Sequence, residues 1–171
     1  MSDTRLYRES ITLGLAFVEA FADWQNPTAA ELNNTDLVKN ITCALNEDGT
    51  TFNLADSDTD DTITFCESAG SVSPTRTNVE VVYEAERSED PTASNQANEA
   101  FGLMAFPDIE YYAILRVGHD SDVPFAVGQR VSLVRVGTDL PVDVMGGNEN
   151  IRIQQNFLAK GDINWNYEVA A

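Results

Sequence analysis

Four acidic residues fall where a calcium loop would need them. In the stretch DSDTDDTITFCE, Asp56, Asp58 and Asp60 occupy the first, third and fifth places and Glu67 the twelfth, which are oxygen-ligand positions of the EF-hand loop. Calcium is a hard cation that takes about six to eight oxygens, so carboxylates at this spacing suit it. Ile63 supplies the apolar residue usual inside such a loop. The sixth place breaks the pattern. It calls for a glycine at a sharp turn, and the chain has Asp61 there, which resists that backbone conformation and adds another charge. The flanking helices are missing as well, because the neighbouring runs alternate like strands. The expectation is therefore an acid-rich turn whose spacing is coincidental, with a calcium ion held by Asp56, Asp58 and Asp60 as the alternative.

Chemistry of other kinds leaves few traces. There is no Gly-rich phosphate loop, no G-x-S-x-G elbow and no H-E-x-x-H. His119, the single histidine, lies in the turn RVGHDSDVP beside Asp120 and Asp122, where a surface role is expected. Cys43 and Cys66 with one histidine fall short of the four ligands of a structural zinc. Both sit in strand-like runs, ITCAL and ITFCE, so they are read as reduced and buried, a cross-strand disulfide being the alternative. No enzyme and no cofactor are expected.

Charge narrows the partners. The 171 residues carry 28 acidic against 10 basic side chains, a net charge of −18. Phosphate contacts rest on Lys and Arg displacing counterions, so specific binding of nucleic acid is not expected. Either the excess is a solubilising face, or it marks a surface that must not stick to DNA. The longest apolar run, Leu13 to Val18 with Gly14 inside it, is far short of the roughly 20 residues that cross a bilayer. No membrane partner is expected.

The elements that must position these residues are mostly strands. In NVEVVYEAE, Val79, Val81, Tyr83 and Ala85 alternate with Glu80, Glu84 and Glu86, the period of a half-buried strand. IEYYAILRV groups Ile109, Tyr111, Ala113, Leu115 and Val117 against Glu110 and Arg116. DINWNYEV sets Ile163, Trp165, Tyr167 and Val169 against Asp162, Asn164, Asn166 and Glu168. Trp165 and Tyr167 on such a strand are read as core. Further strands are expected at 11–18, 41–45, 62–66, 129–136 and 151–158, with turns at 47–49, 117–118 and 160–161. One helix is expected over about 91–105, capped by Asp90 with Pro91 at its first position, and ending before Pro107. Thr28 with Glu31 forms a candidate capping box in PTAAELN. The fold class is mainly β, an antiparallel β-sandwich or barrel with one flanking α-helix. Residues 1–27 read as an N-terminal arm and first strand, with 28–171 as a single β domain. The run RLYRESITLGLAFVEAFADWQNP is rich in large apolar residues; it is either an arm that needs a neighbour or an ordinary first strand. Trp24, exposed before a turn, would mark a protein contact.

Taken in order, these pieces resemble the tail tube (major tail) proteins of long-tailed, siphovirus-type bacteriophages, especially those infecting actinobacteria. The matching segments are the N-terminal strand and arm, PTAAELNNTDLVKNITCALNEDG, the acidic DSDTDD before TITFCE, and VEVVYEAERSED leading into the helix. The match continues through YYAILRVGHDSDVPFAVGQRVSLVRVGTD and closes with FLAKGDINWNYEVA. The resemblance implies a homo-oligomer, six copies to a ring, with rings stacked into a conduit that DNA passes without being bound. It also implies a tape measure protein, a tail terminator and a distal tail protein as partners, a place in the virion tail, and assembly in the host cytoplasm. Under it, Leu13, Phe17, Phe21 and Trp24 of the arm are the expected oligomer contacts. Lumen-facing acids are expected at Asp162 and Glu168, or at Glu80, Glu84 and Glu86. The competing reading is a calcium-dependent β-sandwich binding module.

Overall fold

The computed structural model describes residues 10–60, 73–145 and 150–171, with backbone alone at 58–60 and 73–76. The expected strands at 62–66 and the positions Cys66 and Glu67 lie outside the described residues. Eight strands form one antiparallel sheet: β1 (Ile11–Phe17), β2 (Val38–Asn40), β3 (Thr51–Asp60), β4 (Ser73–Glu86), β5 (Glu110–Val117), β6 (Arg130–Thr138), β7 (Val142–Val144) and β8 (Arg152–Glu168). Their order is β2-β1-β5-β6-β8-β4-β3, with β7 also paired to β8. A short helix α1 (Ala29–Leu32) and a longer one, α2 (Gln96–Met104), complete the fold. The mainly β antiparallel class with one flanking helix is what the alternating runs predicted.

β8 organises the sheet. Its 17 residues exceed the usual strand of about 3–10, and it serves two sets of partners. The first half pairs with β4 and β7, the second with β6, and Phe157 is opposite both Val81 and Thr138. The expected turn at Lys160-Gly161 does not reverse the chain. Between Val134↔Ile163 and Val136↔Ala159 the register gains residues on β8 alone, so these positions form a bulge, with Gly161 at φ 96, and the strand bends instead of turning. The two halves of the sheet thereby share one core. Leu15, Tyr111, Ala113, Val134 and Val136 from one half meet Val81, Tyr83, Ala85, Ile153 and Phe157 from the other, with Ala100, Leu103 and Met104 of α2 against them.

A second core covers the opposite face of β1, β5 and β6 only. Ala16, Tyr112, Ile114, Val131 and Leu133 are packed there by Ala20, Phe21, Leu32, Val38 and Val169. β5 is therefore buried on both faces, which its sequence conceals by placing Arg116 at an apparently polar position. Arg116 is fully buried. Its guanidinium donates to Thr12 Oγ1 (2.9 Å), to the carbonyls of Asp120 (2.8 Å), Val123 (2.7 Å) and Pro124 (3.2 Å), and to Gln129 Oε1 (3.1 Å). Phe125 lies against it, 4.3 Å from ring centre to guanidinium carbon.

Other departures have local causes. The expected strand at 41–45 is a 3-10 turn, Thr42–Ala44. Thr42 Oγ1 accepts the Leu13 N–H at 2.8 Å, so a side chain stands in for the next rung of the ladder. Cys43, expected to be buried, is consequently exposed. α2 starts later than expected because Asn95, not Asp90, caps it by accepting the Asn98 N–H at 2.8 Å. Asp90 is occupied with its own turn, accepting from Thr92 N–H and Oγ1. The capping box of α1 is present as predicted, Thr28 and Glu31 bonding each other's backbone. In DINWNYEV the alternation breaks at Asn166, whose φ of 58 is a left-handed conformation Asn tolerates. Ile163 and Trp165 pack on the first core, Val169 on the second, and Tyr167, expected in the core, is left exposed.

Candidate functional site

The acidic segment is a strand where a turn was expected. Asp56 to Asp60 continue β3, which pairs with β4 through Asp58↔Arg76 and Asp60↔Ser73 across two register shifts. The backbone carbonyl of Asp56 accepts from Asn78 at 2.9 Å. The backbone at 56–60 is extended and paired to β4, and so lacks the wrapped course by which a calcium loop gathers its ligands around one ion. Among the described residues no group of three His, Cys, Asp or Glu is placed to hold a metal ion.

The four apolar residues expected to contact neighbours all pack within the protomer, Phe21 buried and Leu13, Phe17 and Trp24 partly so. Leu13 packs against the first core and Phe17 lies 5.6 Å from the Tyr111 ring. Phe21 is buried edge-on to Tyr112, and Trp24 stacks on the same ring at 6.3 Å. The carbonyls of Trp24 and Gln25 accept from the buried Asn164 side chain at 2.9 and 3.0 Å. From Ser10 onward the supposed arm is an interior strand with its connection, because β1 lies between β2 and β5. The reading as an ordinary first strand is the one the geometry follows.

The candidate acids separate into three environments. Asp162 Oδ2 is 3.1 Å from Arg135, whose other end donates to Glu110 at 2.7 Å. Hydrogen bonds to Glu110 and then Asp162 raise the Arg135 pKa further, and its positive charge offsets one of the two carboxylates beside it. Glu168 is exposed beside Gly128. Of the β4 set, Glu80 and Glu86 are exposed, but Glu84 is only 6% exposed and pairs with Arg152 at 2.9 Å. A Cβ at Gly49 would overlap the Glu84 side chain, so glycine there lets the loop close over the carboxylate. Glu84 is thus withdrawn from the row of acids the alternation predicted.

These placements define a surface that the sequence pattern did not separate from the rest. On β1, β5 and β6 the second face of the sheet is covered by residues 18–38 and the C-terminus. On β3, β4 and the first half of β8, that same face carries Asn53, Glu80, Glu86, Asn156 and Leu158, all exposed. Cross-strand pairs Asn53↔Glu80 and Val82↔Asn156 join the three strands, and the loop at Gly49 covers the face only over Glu84. Away from Glu84 it is an open, predominantly polar surface. His119 is exposed in its turn, as expected. No helix among the described residues is long and apolar enough to cross a membrane.

The chain belongs to the phage tail tube protein family, whose model matches it over residues 8–171. That family is structural, its members being components of the virion tail that assemble from copies of themselves. No curated protein matches the chain.

Proposed function

We propose that the protein forms rings, six copies to each, that stack into the tube, and that the open face of β3, β4 and the first half of β8 lines its channel. The observation that carries this reading is the contrast between the two halves of one sheet face. One half is sealed by an apolar layer. The other is left open and carries the exposed Glu80 and Glu86, neither of them in an ion pair among the described residues, since Arg152, opposite Glu86, is engaged by Glu84. A wall of unneutralised carboxylates repels phosphate at short range and lets DNA slide without adhering. Glu84 contributes little, since Arg152 neutralises it, and Asp162 is offset by Arg135. A tape measure protein inside the growing tube, a terminator above it and a distal tail protein below it are the partners this role requires.

The test is charge reversal in assembled material. Purified protein is concentrated, imaged by electron microscopy for tubes of uniform bore, and incubated with short duplex DNA. Wild-type tubes are expected to leave the DNA free, and Glu80→Lys with Glu86→Lys tubes to retain it in a salt-sensitive way. Reversed tubes that retain no more DNA than wild type would remove this face from the channel wall.

A further inference from the structure

One aspartate differs from the others in how it is held. An aspartate isomerises when the amide nitrogen of the next residue attacks its side-chain carboxyl carbon, so the reaction needs a carboxyl group free to swing and a following N–H free to be lost. Among the described aspartates outside the strands, one or the other requirement fails at nearly every position. The amides that follow Asp36, Asp108, Asp122 and Asp139 donate to the Asn34 carbonyl, Thr138 Oγ1, the Asp120 carbonyl and Asp139 Oδ1. The carboxylate of Asp23 accepts from Gln25 and Asn26, and that of Asp120 from Ser10. Asp90 precedes Pro91, which has no N–H. Asp48 is the exception. It is exposed, and its carboxylate makes no hydrogen bond or ion pair among the described residues. Its own N–H donates to Asn46 Oδ1 at 3.1 Å, and the Thr50 N–H donates to the Glu47 carbonyl at 3.3 Å, which leaves the Gly49 N–H between them without a partner among the described residues. Glycine also brings no side chain to hinder the attack. The chain has no other Asp-Gly and no Asn-Gly.

We propose that Asp48 is a site of spontaneous modification, converting to isoaspartate in the folded protein. The Gly49 nitrogen bonds to Asp48 Cγ, and the N–H proton leaves with the hydroxyl of the protonated carboxyl group as water, closing a cyclic imide. Water then opens the ring at either carbonyl. Opening at the main-chain carbonyl leaves a backbone that runs through Cβ and Cγ, one carbon longer, with the former peptide carbonyl now a carboxylate. The composition is unchanged, and neither oxidant nor enzyme is needed. The fold makes that extra carbon consequential. On either side of Gly49 the loop is tied to Glu84, whose carbonyl accepts the Asn46 N–H at 2.7 Å and whose N–H donates to Thr50 Oγ1 at 3.4 Å. Between these ties Gly49 lies against the Glu84 side chain, with no room for even a Cβ. A longer backbone there pushes Gly49 off the carboxylate and admits water to the Glu84–Arg152 pair, now closed at 2.9 Å. A component of the virion tail is not resynthesised after assembly, so the product accumulates with age. The inference stands independently of the ring and channel reading.

Heavy-oxygen labelling tests it. Purified protein is kept warm at neutral pH in water enriched in heavy oxygen, sampled over weeks, digested in ordinary water and mapped by mass spectrometry. Ring opening places one heavy oxygen on residue 48 whichever carbonyl is attacked. An isoaspartyl methyltransferase with S-adenosylmethionine marks the isomerised fraction. Label and methyl acceptance at position 48 are expected to rise with time, while the other aspartates outside the strands stay unlabelled. Asp48→Glu keeps the charge but would have to close a six-membered imide, which forms far more slowly, so both signals should be lost. The position is exposed, circular dichroism checks the fold, and Asp48→Ser, which has no carboxyl group, replaces the glutamate variant if that one does not fold. Thermal scans read the consequence: aged wild type should melt below fresh protein, and aged Asp48→Glu should not. Protein that gains no label at position 48, or a glutamate variant labelled as fast as wild type, would overturn the site. Label without any fall in the melting temperature would overturn the account of the loop as a cover for Glu84.

Discussion

Replacing Arg116 with methionine should cost about 3 kcal/mol. The substitution keeps an unbranched apolar stem in the second core and removes the guanidinium that gathers the 118–129 loop. Three carbonyls, those of Asp120, Val123 and Pro124, lose their donor, as do Thr12 Oγ1 and Gln129 Oε1. A buried acceptor left without a partner costs roughly 1–3 kcal/mol, so the three carbonyls alone set a range of about 3–9 kcal/mol. The lower end applies because the loop carries exposed residues, Asp120, Val123 and Val127 among them, and can open far enough for water to replace the lost donors. Burial already pulls the Arg116 pKa down, and neutral acceptors surround the charge, so the arginine is held by hydrogen bonding and by its stack on Phe125 rather than by an ion pair. Urea denaturation gives the loss directly. Hydrogen exchange gives its location: amides of 118–129 should speed up in the variant while those of β5 and β6 stay protected. Arg116→Lys, which reaches fewer acceptors, should fall between the two. A loss below about 1 kcal/mol with unchanged exchange in the loop would refute the account of Arg116 as the organiser of this end of the molecule.

Two further outcomes follow from particular contacts. Deleting residues through Trp24 removes an interior strand, along with Leu15 and Phe21, each worth about 1.5–3 kcal/mol when buried; the product should be unfolded by circular dichroism, and a folded, assembly-deficient product would restore the arm. Burial raises the Glu31 pKa, but the N–H groups of Ala22 and Thr28 and the Thr28 hydroxyl outweigh it, so the net shift is downward. The stability it confers is then fully present above the ordinary glutamate range, near pH 4.3, and is lost as pH falls through the lower folded value. Thermal melts of Glu31→Gln should accordingly lie below wild type at neutral pH and converge with it in acid; parallel curves would show that the carboxylate charge contributes nothing.

Much of the fold was legible because its strands are half-buried or buried at a fixed period of two. Val79 to Ala85 and the capping box of Thr28 with Glu31 follow from spacing alone, since pleat and helix geometry decide which side chains share a face or a cap. The family could likewise be read from the order of segments over nearly the whole chain. Periodicity is silent, however, on what covers a face. β5 was read as half polar because arginine looks solvent-bound in a pattern, and only the folding of 118–129 over it supplies acceptors for a buried guanidinium. Glu84 differs from Glu80 and Glu86 for the same kind of reason, a glycine loop and Arg152 brought up from distant positions. The acidic stretch at 56–60 matched a loop in ligand spacing, but strand pairing with β4 decided its backbone. Sequence by itself determined the alternation, the acidic balance and the family of this protein. Tertiary structure alone decided which charges are neutralised, which half of the sheet stays bare, and that the first apolar run belongs inside the protomer, because each of these depends on contacts between residues far apart in the chain.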